Sequence, residues 1–145
     1  ALLYAQTPVT LDEWNAVRAL NDCLPRKQIA QNFEFYFSQK PEDRPLLALQ
    51  QSKTTLRMGP HVRGIPYDDT ETIYEHTSDM IGFMSLYSPR DKDYHPTLRL
   101  ILKHDMAESL TTDLIPADNI DRGLKRLVEY AAVKTIYQTQ PRAIA

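Results

Sequence analysis

Cysteine occurs once in the 145 residues, at Cys23. A single thiol excludes an internal disulfide framework and any cysteine-rich zinc module, and it fits a reducing intracellular compartment, cytoplasm or mitochondrial matrix. Net charge is almost as scarce, since seventeen Lys and Arg against nineteen Asp and Glu leave −2. That balance gives no basis for a whole-surface grip on nucleic acid or anionic lipid, so a partner must be recognised locally. No apolar run approaches the ~18–20 residues that span a bilayer. Glycine, at four residues, is outnumbered by ten prolines, and strict apolar–polar alternation is rare. Helices separated by proline stops are therefore expected, not a sheet. With 42% apolar residues the chain can build one core and a short arm, hardly two domains. It starts at Ala1, and Ala-Leu-Leu-Tyr is too short for a signal peptide, so a processed or trimmed start is expected and the end at Ala145 is not taken as natural.

What is present reads as all-α. Thr10-Leu11-Asp12-Glu13 has the form of a capping box, and Trp14, Val17, Leu20 and Leu24 follow at three- and four-residue spacing until Pro25. A second helix is expected over Lys27 to Gln39. It carries Phe33, Phe35, Tyr36 and Phe37, enough aromatic surface either to enter the core or to form a sticky face for protein partners. A third helix runs from Pro45 towards Leu56. Arg57 to Asp69, with Gly59-Pro60, Gly64 and Pro66, reads as a cation-rich loop. Thr72-Ile73-Tyr74-Glu75 is a second capping box, opening a helix through His76, Met80, Phe83, Met84 and Tyr87 to Pro89. After a polar loop holding Arg90, Asp91, Lys92 and Asp93, Pro96 starts a helix whose Leu98, Leu100, Ile101 and Leu102 are apolar almost all round, which predicts a central position. The last helix is expected from Asp121 to Tyr137 on Leu124, Leu127, Val128, Ala131 and Ile136.

The chemistry gathers near the end of that most apolar helix. His104 and Asp105 are costly to bury there unless something pairs with them, and a metal ion would do so. Glu108 stands four residues after His104 on the same helix face, and Asp113 follows in the next turn. His76 sits one turn into the preceding long helix, which antiparallel packing can bring opposite His104. Two imidazoles and a carboxylate suit zinc, manganese, iron, cobalt or nickel better than calcium.

His76 followed after 27 residues by His104-Asp105 resembles the metal ligands of the HD-domain phosphohydrolases, and in particular their 5′-deoxynucleotidase-like branch. Arg57-Met58-Gly59-Pro60-His61-Val62-Arg63-Gly64-Ile65-Pro66 is similar to that branch's Arg-Thr-Gly-Trp-x-x-Arg-Gly-Val/Ile-Pro loop, and Glu75-His76 to its Glu/Asp-His step. His104-Asp105-Met106-Ala107-Glu108, then Asp113 and Ile115-Pro116-Ala117-Asp118-Asn119-Ile120, resembles its His-Asp-Met-Ala-Glu signature and the loop beyond it. The likeness covers roughly residues 46 to 137. It implies an N-terminal helical extension, 1–45, followed by an HD-type helical domain, 46–145, shortened at its C-terminus.

The resemblance also implies roles. His76, His104 and Asp105 would hold a divalent metal, Arg63 would grip the substrate phosphate, and Glu108 and Asp113 would manage protons as a deoxynucleoside monophosphate is hydrolysed. Three positions depart from the pattern. His61 stands where the family has tryptophan, Thr112 stands where it has glycine, and the aspartate expected on a later helix has no counterpart after Asp121. The alternative implied by the last departure is a catalytically silent HD-type structural subunit of a larger assembly, a mitochondrial one among the options, with Phe33, Phe35, Tyr36 and Phe37 as its contact surface.

Overall fold

The computed structural model describes residues 8–87 and 92–139, without the side chains of His61 and His104, and among these described residues proline and cap residues mark off eight α-helices. They are α1 (Leu11–Cys23), α2 (Ile29–Ser38), α3 (Arg44–Ser52), α4 (Met58–Val62), α5 (Ile73–Tyr87), α6 (Tyr94–His104), α7 (Glu108–Thr111) and α8 (Arg122–Ile136). Among the described residues there is no strand, only an isolated antiparallel bridge between Leu56 and Thr72. The all-α expectation holds. No described helix is long and apolar enough to cross a membrane.

Local chemistry sets several boundaries. Thr72 and Glu75 form the expected reciprocal cap of α5, with the Glu75 amide donating to Thr72 Oγ1 at 3.1 Å and the Thr72 amide to Glu75 Oε2 at 2.8 Å. At α1 only half of the box forms. Thr10 Oγ1 accepts from the Glu13 amide at 3.2 Å, but the Glu13 carboxylate turns inward and pairs with Lys134 of α8 at 2.5 Å, both side chains being buried. Asp121 caps α8 by accepting from the Leu124 amide.

The core lies where α1, α2, α3, α7 and α8 meet. Val17 and Leu20 from α1, Ile29, Phe33 and Tyr36 from α2, Leu110 from α7 and Val128 and Ile136 from α8 are all fully buried there. Ala131 and Ala132 are buried in α8, the helix against which α1 packs most extensively. Arg44 ties the far end together. Its buried guanidinium donates to the carbonyls of Phe37, Gln39 and Thr135 and to the side chain of Gln138, so the charge is taken from water only because carbonyl and amide oxygens surround it.

Three sequence expectations need correction. The segment after Arg57 is not all loop, because Met58–Val62 closes a short helix whose first amide is capped by a distant carboxylate, Asp113 Oδ2, at 2.7 Å. Nor is α6 central. It packs against α5 and the turn that follows it, leaving Leu100 58% and Leu102 43% exposed, while α8 and α1 supply the middle of the core. The aromatic segment of α2 also divides. Phe33 and Tyr36 are fully buried in this chain's own core and cannot meet a partner, whereas Phe35 and Phe37 stay partly exposed, Phe37 with its ring against Trp14 and Phe33. Residues 1–7, 88–91 and 140–145 lie outside the described residues, including the Pro89 stop and Arg90 and Asp91.

Candidate functional site

The Leu56–Thr72 bridge fixes the first half of the site. Arg57 donates its amide to the Glu71 carbonyl at 3.0 Å and Ile73 donates to the Thr55 carbonyl at 2.8 Å, so register alone sets Arg57 beside Glu71 and beside the first turn of α5. The guanidinium then pairs with Glu71 and reaches 3.1 Å from His76 Nδ1. Glu71 Oε1 lies 3.3 Å from the same nitrogen. The guanidinium can only donate to Nδ1 and the carboxylate can only accept from it, so the ring tautomer selects which of the two bonds forms.

Nε2 faces Asp105. The two atoms are 3.9 Å apart. Asp105 is buried at the start of the Asp105–Ala107 turn and accepts a hydrogen bond from Thr77 Oγ1, one residue along α5 from His76, at 3.4 Å. The expected α5–α6 packing therefore brings His76 and Asp105 together from opposite elements. The side chain of His104, the second expected imidazole, is outside the described residues, and so is that of His61.

Glu108 opens α7 and is half-buried. Its carboxyl is pushed up to about 8, first by burial, then by the nearby Asp113 and Asp105 carboxylates, with Arg57 opposing the rise. It thus holds its proton near neutral pH. Asp113 is drawn to the same quarter by its hydrogen bond to the Met58 amide. Arg63 is exposed in the turn after α4, where its amide donates to the Pro60 carbonyl, and among the described residues no hydrogen bond or ion pair joins it to His76. The cation that does reach the imidazole is Arg57, which sequence reading quoted but gave no role. Glu71 was missed altogether. It lies five residues before His76, outside the helix, and only the bridge register connects the two.

The donors fit a metal in kind. An imidazole nitrogen and a buried carboxylate are donor types that first-row divalent ions take, and a carboxylate behind the ring is a common support for such a ligand. Among the described residues no group of three or more such donors is close enough to hold an ion, so the pair His76 and Asp105 is what the described side chains contribute.

The family model described as HD domain matches residues 49–145, in keeping with the all-helical architecture. The chain belongs to the HD-domain family. Among curated proteins it is similar to the 5′-deoxynucleotidase HDDC2 of Xenopus laevis, 35% identical over 71 residues, covering 49% of this chain and 35% of that protein. It is likewise similar to the 5′-deoxynucleotidase HDDC2 of Bos taurus, 38% identical over 71 residues, covering 46% of this chain and 35% of the relative. The chain thus spans about a third of the length of the curated relatives it matches. No solved structure matches it.

Proposed function

We propose that the chain carries the site of a metal-dependent phosphomonoesterase that acts on deoxynucleoside monophosphates. The observation that carries this reading is the approach of His76 Nε2 to within 3.9 Å of the buried Asp105 carboxylate, with Glu71 and Arg57 behind the imidazole. His76 and Asp105, with His104, would hold the ion. A bound divalent metal (cobalt, manganese, zinc, iron or nickel) supplies acidification of water and offsets charge on a phosphoryl oxygen.

The chain's own residues do the rest. Arg63, with its guanidinium in solvent, meets the substrate phosphate through two parallel hydrogen bonds. Asp113 orients the attacking water. As the water oxygen bonds to phosphorus and the bond to the 5′ oxygen breaks, Glu108 gives its carboxyl proton to the leaving alkoxide, so the products are a deoxynucleoside and inorganic phosphate. The raised pKa of Glu108 supports this role, because an ordinary glutamate would already have lost that proton at neutral pH.

Phosphate release from deoxynucleoside monophosphates, assayed with manganese or cobalt, tests the reading. Glu108→Ala should lower turnover by about a hundredfold, the usual share of a proton-transfer group, and Arg63→Ala should chiefly raise KM. Equal trace release by wild type and Glu108→Ala would remove the reading. A second reading, a catalytically silent subunit of an assembly, draws on a different observation. Phe83, Leu86 and Tyr87 of α5 and Leu100 of α6 are each more than half exposed, and a patch of this kind is usually covered by something. Tight metal binding without any phosphate release would favour it.

A further inference from the structure

The loop that carries Asp113 is built in a conformation its sequence resists. Thr112 has φ 60° and ψ 173°, a region open to glycine and hostile to a β-branched residue. Its Oγ1 is buried with no hydrogen-bond partner. Such a backbone persists only where its surroundings overdetermine it. Lys125 of α8 contributes from one side, donating to the Leu114 carbonyl at 3.0 Å, and the N-terminal segment contributes from the other. Lys27, in the Pro25–Lys27 turn between α1 and α2, donates from Nζ to the Asp113 carbonyl at 2.9 Å and to Asp118 Oδ2 at 3.0 Å. Asp118 Oδ2 also accepts from the Ile115 amide at 3.0 Å. On the near side of Thr112, Asn32 of α2 donates from Nδ2 to the Leu110 carbonyl at 3.0 Å. Lys27 and Asn32 both precede residue 49, where the family match begins.

We propose that Lys27, seconded by Asn32, is a positioning residue that holds the 110–118 loop so that the Asp113 carboxylate meets the α4 N-terminus beside the site. The mechanism is electrostatic and geometric. An ammonium group with two oxygen partners on the loop fixes both the carbonyl after Thr112 and the Asp118 turn, and Asp113 has then only one place to point. The clamp stands on these contacts alone, while its catalytic consequence rests on the phosphomonoesterase reading above.

Amide hydrogen exchange on the full chain, without added metal, tests the clamp in Lys27→Met and Lys27→Arg. Lys27→Met keeps the apolar stem and removes the charge. The Met58 and Ile115 amides, which report the Asp113 and Asp118 carboxylates, should exchange at least about tenfold faster, the scale of losing a charge-assisted hydrogen bond. The Val128 and Ala132 amides of α8 should not change, and Lys27→Arg should restore most of the protection. Unchanged exchange at Met58 and Ile115, or equal acceleration at all four amides, would overturn the proposal. Should Lys27→Met fail to fold, Asp118→Asn removes the charged partner and keeps an acceptor for Ile115; faster exchange at Met58 supports the clamp and no change overturns it. Phosphate release measured on the same samples separates the two ideas. A kcat loss at constant KM in Lys27→Met extends the clamp to catalysis, whereas the exchange signature in a wild type that releases no phosphate keeps the clamp and retires the phosphomonoesterase.

Discussion

Glu108 links the candidate chemistry to a stability measurement that needs no substrate. Its folded-state pKa, about 8, lies above the unfolded value. Between the two values the folded chain keeps the proton that the unfolded chain has lost. Stability from this group is therefore fully present below the unfolded pKa and is lost as pH rises through about 8. Urea titrations of the metal-free wild type should show stability falling from pH 5 to pH 8, and Glu108→Gln should flatten that slope. Thr112 allows a second measurement. Thr112→Gly relieves a backbone strained by roughly 1–3 kcal/mol, part of which returns as unfolded-chain entropy, so the midpoint of unfolding should rise. At this scale the sequence was legible in part. His76, Asp105, Glu108 and Asp113 were all singled out, and the fold brings His76 Nε2 to 3.9 Å from the Asp105 carboxylate. Arg57, Glu71 and Lys27 acquire their places only through contacts between residues far apart in the chain, which no local spacing encodes.

Among the elements, helix starts and stops were the most readable feature. Thr10, Thr72 and Asp121 cap α1, α5 and α8 where the pattern put them, because capping is a contact across three or four residues. The packing of whole helices was less so. Periodicity shows that α6 is apolar on most sides, but its neighbours are chosen by the rest of the chain. Glu13 illustrates the same limit, since its place in the capping-box pattern gave no sign of the buried ion pair with Lys134, 121 positions away. That pair fastens α1 to α8. Lys134→Met alone should destabilise the chain by about 3–5 kcal/mol, because it leaves a buried carboxylate unpaired. Adding Glu13→Leu should recover most of the loss, and denaturant midpoints of the three variants would decide it.

The molecule as a whole is asymmetric in how well it covers itself. Its core draws Val17, Leu20, Phe33 and Tyr36 from the segment before the family match and Leu110 and Val128 from within it, so the N-terminal helices contribute to the same buried cluster that supports the site. The α5–α6 side is different, with Phe83 62%, Leu86 77% and Leu100 58% exposed. Leu86→Lys with Leu100→Lys should therefore alter stability by no more than about 0.5 kcal/mol each and should reduce self-association, which sedimentation at increasing concentration would register. Unchanged association would show that another surface is responsible.

The bridge between Leu56 and Thr72 has an engineering consequence. It joins the two ends of the 57–71 segment with backbone hydrogen bonds, so Arg57 and Glu71 stay side by side whatever the chain does between them. Lengthening a closed loop is cheap, about 0.6 kcal/mol for each doubling. The exposed residues 64–69, beyond Arg63, are thus an exchangeable cassette. They can be replaced or grafted from another sequence to change what is admitted, while the pairing of Arg57, Glu71 and His76 beneath is left in register.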